Sequence, residues 1–190
     1  FGSGWFPTLR KPAGLSGFRT VEAGLKARGP WTAQELTRVD AAKAAATFGG
    51  QDPGHPLMVL FAPALRELGE HVLAEHGGSF LALAHSGGGS AVALAERLAR
   101  LPSWYDVSPY GGARVPFFKR AQLAAADLHL QGIARADDIG ALTLFADNLV
   151  PHVLRIDGVL AFDDALVARI DRGELIEHDS PEEVELRACA

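Results

Sequence analysis

Cysteine is almost missing from this chain: Cys189 stands alone among 190 residues. An internal disulfide is therefore excluded, and such sparse usage suits a reducing, cytoplasmic setting. Positive charge is also short, since 18 Lys and Arg against 23 Asp and Glu leave a net charge of −5. A protein that coats nucleic acid needs a basic surface, so direct nucleic-acid binding is not expected. A single phosphate is a lesser demand, met by one local basic cluster. No apolar run approaches membrane-spanning length and no signal peptide is visible, so no membrane partner is expected. The chain has no His-Glu-x-x-His, no cysteine cluster and no Walker-type Gly-Lys-Ser, and His71 and His76 are spaced off one helical face. Neither a metal nor a cofactor is expected. Period-two alternation is scarce, and no βαβ succession can be traced.

What is present is ordinary for a globular protein: 48% apolar and 22% charged residues, in a length that suits a single domain over 1–190 with a real core. The ends look cut. Phe1-Gly2-Ser3-Gly4-Trp5-Phe6-Pro7 reads as an interior stretch, and Ser180-Pro181-Glu182-Glu183 is a strong helix start close to the end of the chain. A fragment lacking N- and C-terminal segments of a longer protein is the expectation. Helical periodicity predicts a mainly α fold: helices over about 32–48, 57–76, 90–101, 117–131 and 151–156, one running into Asp147, and one from Asp163 to Gly173. Residues 1–20 read as a loop. The run 107–115 reads as a small two-strand ribbon turning on Gly111-Gly112.

The stretch Leu142-Thr143-Leu144-Phe145-Ala146-Asp147-Asn148-Leu149-Val150-Pro151 is apolar except at its centre. Ile139, Leu142, Phe145 and Ala146 recur at helical spacing, and Pro151 forces a break at the carboxylate. On a helix, Asp147 would share its face with Gly140 and Thr143, leaving space in front of it. Two roles are open to Asp147: a cap for the helix near Pro151, or a functional acid, because a carboxylate in an apolar segment is costly unless paired or used. Phe118, Ala121, Ala125 and Leu128 form an apolar stripe on the helix after Pro116. Lys119 lies in line with Leu123, Ala126 and Leu130, either snorkelling to the surface or facing an anion or a base carbonyl.

Phe80-Leu81-Ala82-Leu83-Ala84-His85-Ser86-Gly87-Gly88 resembles a strand and a nucleophile elbow. Ser86 would attack there, with Asp147 and His152 or His178 following in hydrolase order. The competing reading is a short helix, a glycine break, and Ser90 as a helix cap.

Phe117-Phe118-Lys119-Arg120-Ala121-Gln122, then Leu142–Pro151, then Glu183-Val184-Glu185-Leu186-Arg187-Ala188 resemble the successive signatures of the queuosine salvage protein family. Gly78-Ser79-Phe80, Ser90-Ala91, Tyr105-Asp106-Val107 and Gly173-Glu174-Leu175 fall in the same order. The resemblance implies a helical fold similar to that of DNA glycosylases. It also implies hydrolysis of the N-glycosidic bond of queuosine 5′-phosphate, releasing queuine for reinsertion into tRNA. Asp147 is then the expected catalytic carboxylate. Lys119, Phe145, Phe18, Trp5 and Asn148 are the expected substrate-binding residues, the rings as stacking platforms for the base. The chain departs from the family at Asn148, where an aromatic is usual, and at Phe118, where Tyr is usual. The alternatives are the serine hydrolase built on Ser86 and a non-catalytic helical module that binds a nucleoside or protein partner.

Overall fold

The computed structural model describes residues 8–147 and 149–190. Among them are ten helices, two short 3-10 turns and one two-stranded antiparallel sheet, so the mainly α expectation holds. The chain divides into two compact units, one ending at Leu83 and one beginning at Ala84.

The first unit contains α1 (Gly17–Arg28), α2 (Ala33–Leu36), α3 (Ala41–Thr47) and α4 (Pro56–His76). Its start is less loop-like than the sequence suggests: Ser16 Oγ accepts from the Arg19 amide and opens α1. The Ala-rich stretch is two helices rather than one. Asp40 Oδ1 accepts from the Lys43 amide at 2.7 Å, so the second part restarts on its own cap. The core gathers Leu9, Leu36, Val39, Ala44, Ala45, Phe48 and Met58. A Cβ at Gly69 would meet the Ala33 carbonyl at 2.6 Å, so only glycine lets α4 approach α2 this closely. α4 ends where Gly77 turns left-handed at φ 58°, as its Gly-Gly pair predicts.

α5 (Phe80–His85) is a helix, not the strand that an elbow needs. In the second unit, Ser90 caps α6 (Ala91–Leu98), and the small buried faces of α6 and α7 (Lys119–Leu130) pack together through Leu94, Ala95, Ala121 and Ala125. Strands β1 (Val107–Tyr110) and β2 (Ala113–Pro116) pair with Val107 opposite Pro116. Gly111 and Gly112 both have positive φ (55° and 82°), which the tight turn between the strands requires. α8 (Leu149–Ile156), α9 (Asp164–Asp171) and α10 (Pro181–Ala188) complete the unit. Phe117, Ala146 and Val184 form a small core with Val115 packed against it.

Two further boundaries differ from the expectation, and both bear on the site. α7 starts at Lys119 because the amides of Phe117 and Phe118 donate to the Asp106 carbonyl (2.9 and 3.2 Å), and Pro116 belongs to β2. No helix runs into Asp147. A 3-10 turn covers Ile139–Ala141, after which Leu142 is extended at ψ 142°. The Thr143 amide donates to Gln122 Oε1 at 2.8 Å, so a side chain takes the place of a helical carbonyl. The face that Asp147 would share with Gly140 and Thr143 therefore does not exist.

Candidate active site

The segment leading to Asp147 is held at both ends by side chains from elsewhere in the second unit. Asp138 is tied to the start of α6, where Oδ1 accepts from the Ala91 amide and Oδ2 from Ser90 Oγ, both at 2.6 Å. The Ser90 hydroxyl and the Ala91 amide hold the Asp138 carboxyl below its usual range. Further along, Gln122 Nε2 donates to Thr143 Oγ1 (2.7 Å) and to the Phe117 carbonyl (2.9 Å). Arg187 Nε then donates to the carbonyl of Ala146 at 3.2 Å.

These contacts deliver Asp147 to the start of α8. Its Oδ1 accepts from the amides of Leu149 (2.8 Å) and Val150 (3.0 Å), as a capping carboxylate does. Its Oδ2 lies 3.2 Å from Lys119 Nζ. The side chains are 28% and 33% exposed, so this is no closed apolar interior. Partial burial pushes the Asp147 carboxyl up. The amides of Val150 and Leu149, with Lys119, outweigh that and hold it below its ordinary value. The carboxylate is thus anionic at neutral pH and reachable. Capping and function are compatible here, because each uses a different oxygen.

Lys119 is the first residue of α7, directly after Phe118, which is held in the left-handed region at φ 48°. Backbone strain of this kind persists only when neighbours impose it. Asp106 does so: its carbonyl accepts from Phe117 and Phe118, and its Oδ2 accepts from the Lys119 amide at 3.0 Å. Arg187 Nη2 in turn donates to both Asp106 oxygens (2.9 and 2.7 Å). Arg187 Nη1 reaches Glu183 at 3.3 Å, and the guanidinium carbon lies 3.9 Å from the centre of the Phe117 ring. With its side chain 9% exposed, Arg187 has every nitrogen engaged.

Of the residues expected at the site, Asp147 and Lys119 are brought into contact, and half-buried Phe145 lies two positions before the acid. Phe18 sits on α1 in the first unit, 59% exposed. Trp5 and Asn148 lie outside the described residues. Asp106, Gln122, Thr143 and Arg187 escaped the sequence reading as site residues. Their partners are up to 81 positions away, beyond any local spacing rule. The only signal was their place in segments already picked out by resemblance.

The serine-hydrolase arrangement is not built. Among the described residues the only sheet is the two-stranded ribbon, and the buried Ser86 Oγ has no hydrogen-bond partner that would activate it. One grouping of metal-ligand side chains is found among the described residues: His178, Asp179 and Glu183. Glu183 there is already paired with Arg187.

A profile described as "Queuosine salvage protein" matches residues 18–190. The chain belongs to the queuosine salvage protein family. Three similar proteins carry the name queuosine 5′-phosphate N-glycosylase/hydrolase. That of Sphaerobacter thermophilus is 39% identical over 176 residues, covering 90% of this chain and 53% of the relative. That of Mus musculus is 35% identical over 140 residues, covering 71% and 41%. The Schizosaccharomyces pombe protein is 38% identical over 97 residues, covering 49% and 28%. The chain spans about half the length of these curated relatives, or less. Within this member of the queuosine salvage family, the segments 105–107, 117–122, 142–147 and 183–188 all meet around Asp147 and Lys119.

Proposed function

We propose that this chain hydrolyses the N-glycosidic bond of queuosine 5′-phosphate, or of a closely related 7-deazapurine nucleotide, and releases the free base. The observation that carries this reading is the reachable, ionised Asp147 paired with Lys119 at 3.2 Å, in a chain whose relatives are named for this reaction.

Breaking the sugar–base bond leaves positive charge spread over the anomeric carbon and ring oxygen of the ribose. A fixed carboxylate facing that charge stabilises the transition state more than the ground state, which is the condition for acceleration. Water completes the reaction: its oxygen bonds to the anomeric carbon, one of its protons leaves, and the departing base nitrogen gains a proton. Asp147 suits the part of electrostatic stabiliser or water-activating base, because its lowered pKa makes it a poor proton donor. A 7-deazapurine has no N7 to protonate, so help for the leaving group must reach other positions of the base. In the free protein Lys119 adds to the Val150 and Leu149 amides in holding the Asp147 carboxyl below its ordinary value. As substrate enters, its ammonium turns to the 5′-phosphate or to the base. Phe145 offers a ring for stacking beside the acid, and Asn148, next to Asp147 in the chain, remains a proposed contact.

The net charge of −5 favours a free nucleotide over nucleic acid as the partner, and the lone exposed Cys189 favours a reducing, cytoplasmic setting. No described helix is long and apolar enough to cross a membrane. The test is to incubate the protein with queuosine 5′-phosphate and with queuosine and to look for free queuine by mass spectrometry. Release by the natural chain, and release about two to three orders of magnitude slower by Asp147→Asn, is the expected result. No release of base from either substrate would sink the proposal.

A further inference from the structure

We infer that Arg187 and Asp106 form a positioning pair that sets the geometry of the Asp147–Lys119 site from behind. The inference rests on the reading of Asp147 as the reacting carboxylate.

The two charged residues touch opposite sides of that site. Arg187 Nε holds the carbonyl of Ala146, the residue before Asp147. Asp106 Oδ2 holds the amide of Lys119 itself. Between them, the Nη2 group of Arg187 lies within 2.7–2.9 Å of both Asp106 oxygens. One continuous chain of bonds thus runs from the backbone of Asp147's neighbour, through a guanidinium and a carboxylate, to the backbone of Lys119. The Phe117 ring covers the guanidinium and α10 supplies Glu183 beside it, so the arginine has little freedom to drift. No stability argument requires this arrangement, because a buried ion pair of this kind is often replaceable by apolar residues without loss. What an apolar replacement cannot do is fix two backbone segments at once with directional bonds. The planar fork of arginine suits that task, and the point charge of lysine does not.

Neither residue touches the reacting atoms on this account, so their effect must pass through Asp147. The decisive variants are Arg187→Lys and Asp106→Asn, each made in the natural chain and in Asp147→Asn. Lysine retains the charge but cannot serve Ala146 and Asp106 together. Asparagine turns one of the two oxygens that accept from Arg187 into an amide nitrogen, which cannot accept, and removes the charge that holds the guanidinium. In the natural background each variant should lower kcat for queuosine 5′-phosphate about 10- to 100-fold, the scale expected when reacting groups are misplaced by about 1 Å. KM should change little. In the Asp147→Asn background neither should lower the residual single-turnover rate further. Equal losses in both backgrounds, a rise in KM with unchanged kcat, or no change at all would overturn the inference. Titration of the Asp147 carboxyl by carbon-13 NMR gives a readout that needs no turnover. It should move upward in both variants, and an unmoved titration in the two folded variants would also overturn the inference. If the natural chain released no base, the proposed function would fall, and this titration alone would decide whether the pair positions Asp147.

Discussion

Lys119 Nζ and Asp147 Oδ2 meet at 3.2 Å with about a third of each side chain open to solvent. An ion pair that exposed contributes about 0–1 kcal/mol to folding. Stability is therefore a weak reason for its presence, while a substrate can reach both charges. Arg187 is the opposite case: buried, stacked on Phe117 and bonded through every nitrogen, it belongs to the frame and not to the contact surface.

Replacing Lys119 by methionine keeps the apolar stem and removes the charge. Tm should shift by no more than about 4 °C, since the pair is worth at most about 1 kcal/mol in a chain of this size. Cleavage should suffer. If the ammonium meets the 5′-phosphate, the loss will be larger for queuosine 5′-phosphate than for queuosine. Equal losses place its role at the base, and unchanged kinetics on both would remove it from the site.

The pH dependence of cleavage follows from the same pair. The Asp147 carboxyl is lowered from 3.8: burial raises it, but the amides of Val150 and Leu149 and the charge of Lys119 prevail. A carboxylate with a depressed folded pKa contributes its stability above the unfolded pKa and loses it as pH falls through the folded one. Activity that needs the ionised form should therefore persist through the usual carboxylate range as pH falls and be lost only below it. Lys119→Met removes one of the lowering influences, so the acid limb should move to higher pH. A limb that stays in place in a kcat/KM profile from pH 3 to 6, which reports the free protein, would mean that Asp147 is not the group being titrated.

Much of the fold could be read from local rules, because caps and glycine stops act within a few residues. Ser90, Asp163 and Ser180 open helices where their side chains suggest, and Gly77 and Gly111-Gly112 turn the chain where expected. Local rules failed where a distant side chain took a backbone group. Gln122 claims the Thr143 amide, so the helical period of Ile139, Leu142, Phe145 and Ala146 never becomes a helix. Asp106 claims the amides at 117–119, so α7 begins later than Pro116 suggests. These failures surround the candidate site. Asp147 and Lys119 stood out separately, each in its own segment, and the resemblance gave them site roles; no spacing rule would have joined two residues on separate elements as the ion pair they form.

Gln122 should matter for stability more than its type suggests. It is buried and bonds the Phe117 carbonyl together with the amide and hydroxyl of Thr143. Gln122→Leu keeps much of the bulk but strands these groups, at about 1–3 kcal/mol for each one left unsatisfied. Urea unfolding should show a lower midpoint with an unchanged slope. A neutral midpoint would mean that water replaces the amide without cost.

Ser86→Ala should leave cleavage unchanged. The Ser86 hydroxyl oxygen is buried with no partner among the described residues, so its removal relieves an unsatisfied group. Stability should stay level or rise slightly. Labelling of Ser86 by a fluorophosphonate probe, or loss of turnover in a folded Ser86→Ala protein, would restore the hydrolase reading.

Asp147→Asn separates the two tasks of the acid. Its cap consists of two amide donors on Oδ1, and an asparagine oxygen accepts them nearly as well. The bond from Oδ2 to Lys119 is lost, but that exposed pair is worth at most about 1 kcal/mol, so Tm should fall by only a few degrees. The ground-state ribose carries no full charge, and affinity for queuosine 5′-phosphate should persist. The transition state does carry charge. Removing a fixed anion worth roughly 3–4 kcal/mol there corresponds to a rate lower by about two to three orders of magnitude. Turnover, ligand affinity and melting measured on this one variant decide the matter. A folded protein that binds but does not cleave assigns catalysis to the charge. Cleavage at the natural rate would leave Asp147 as a helix cap alone.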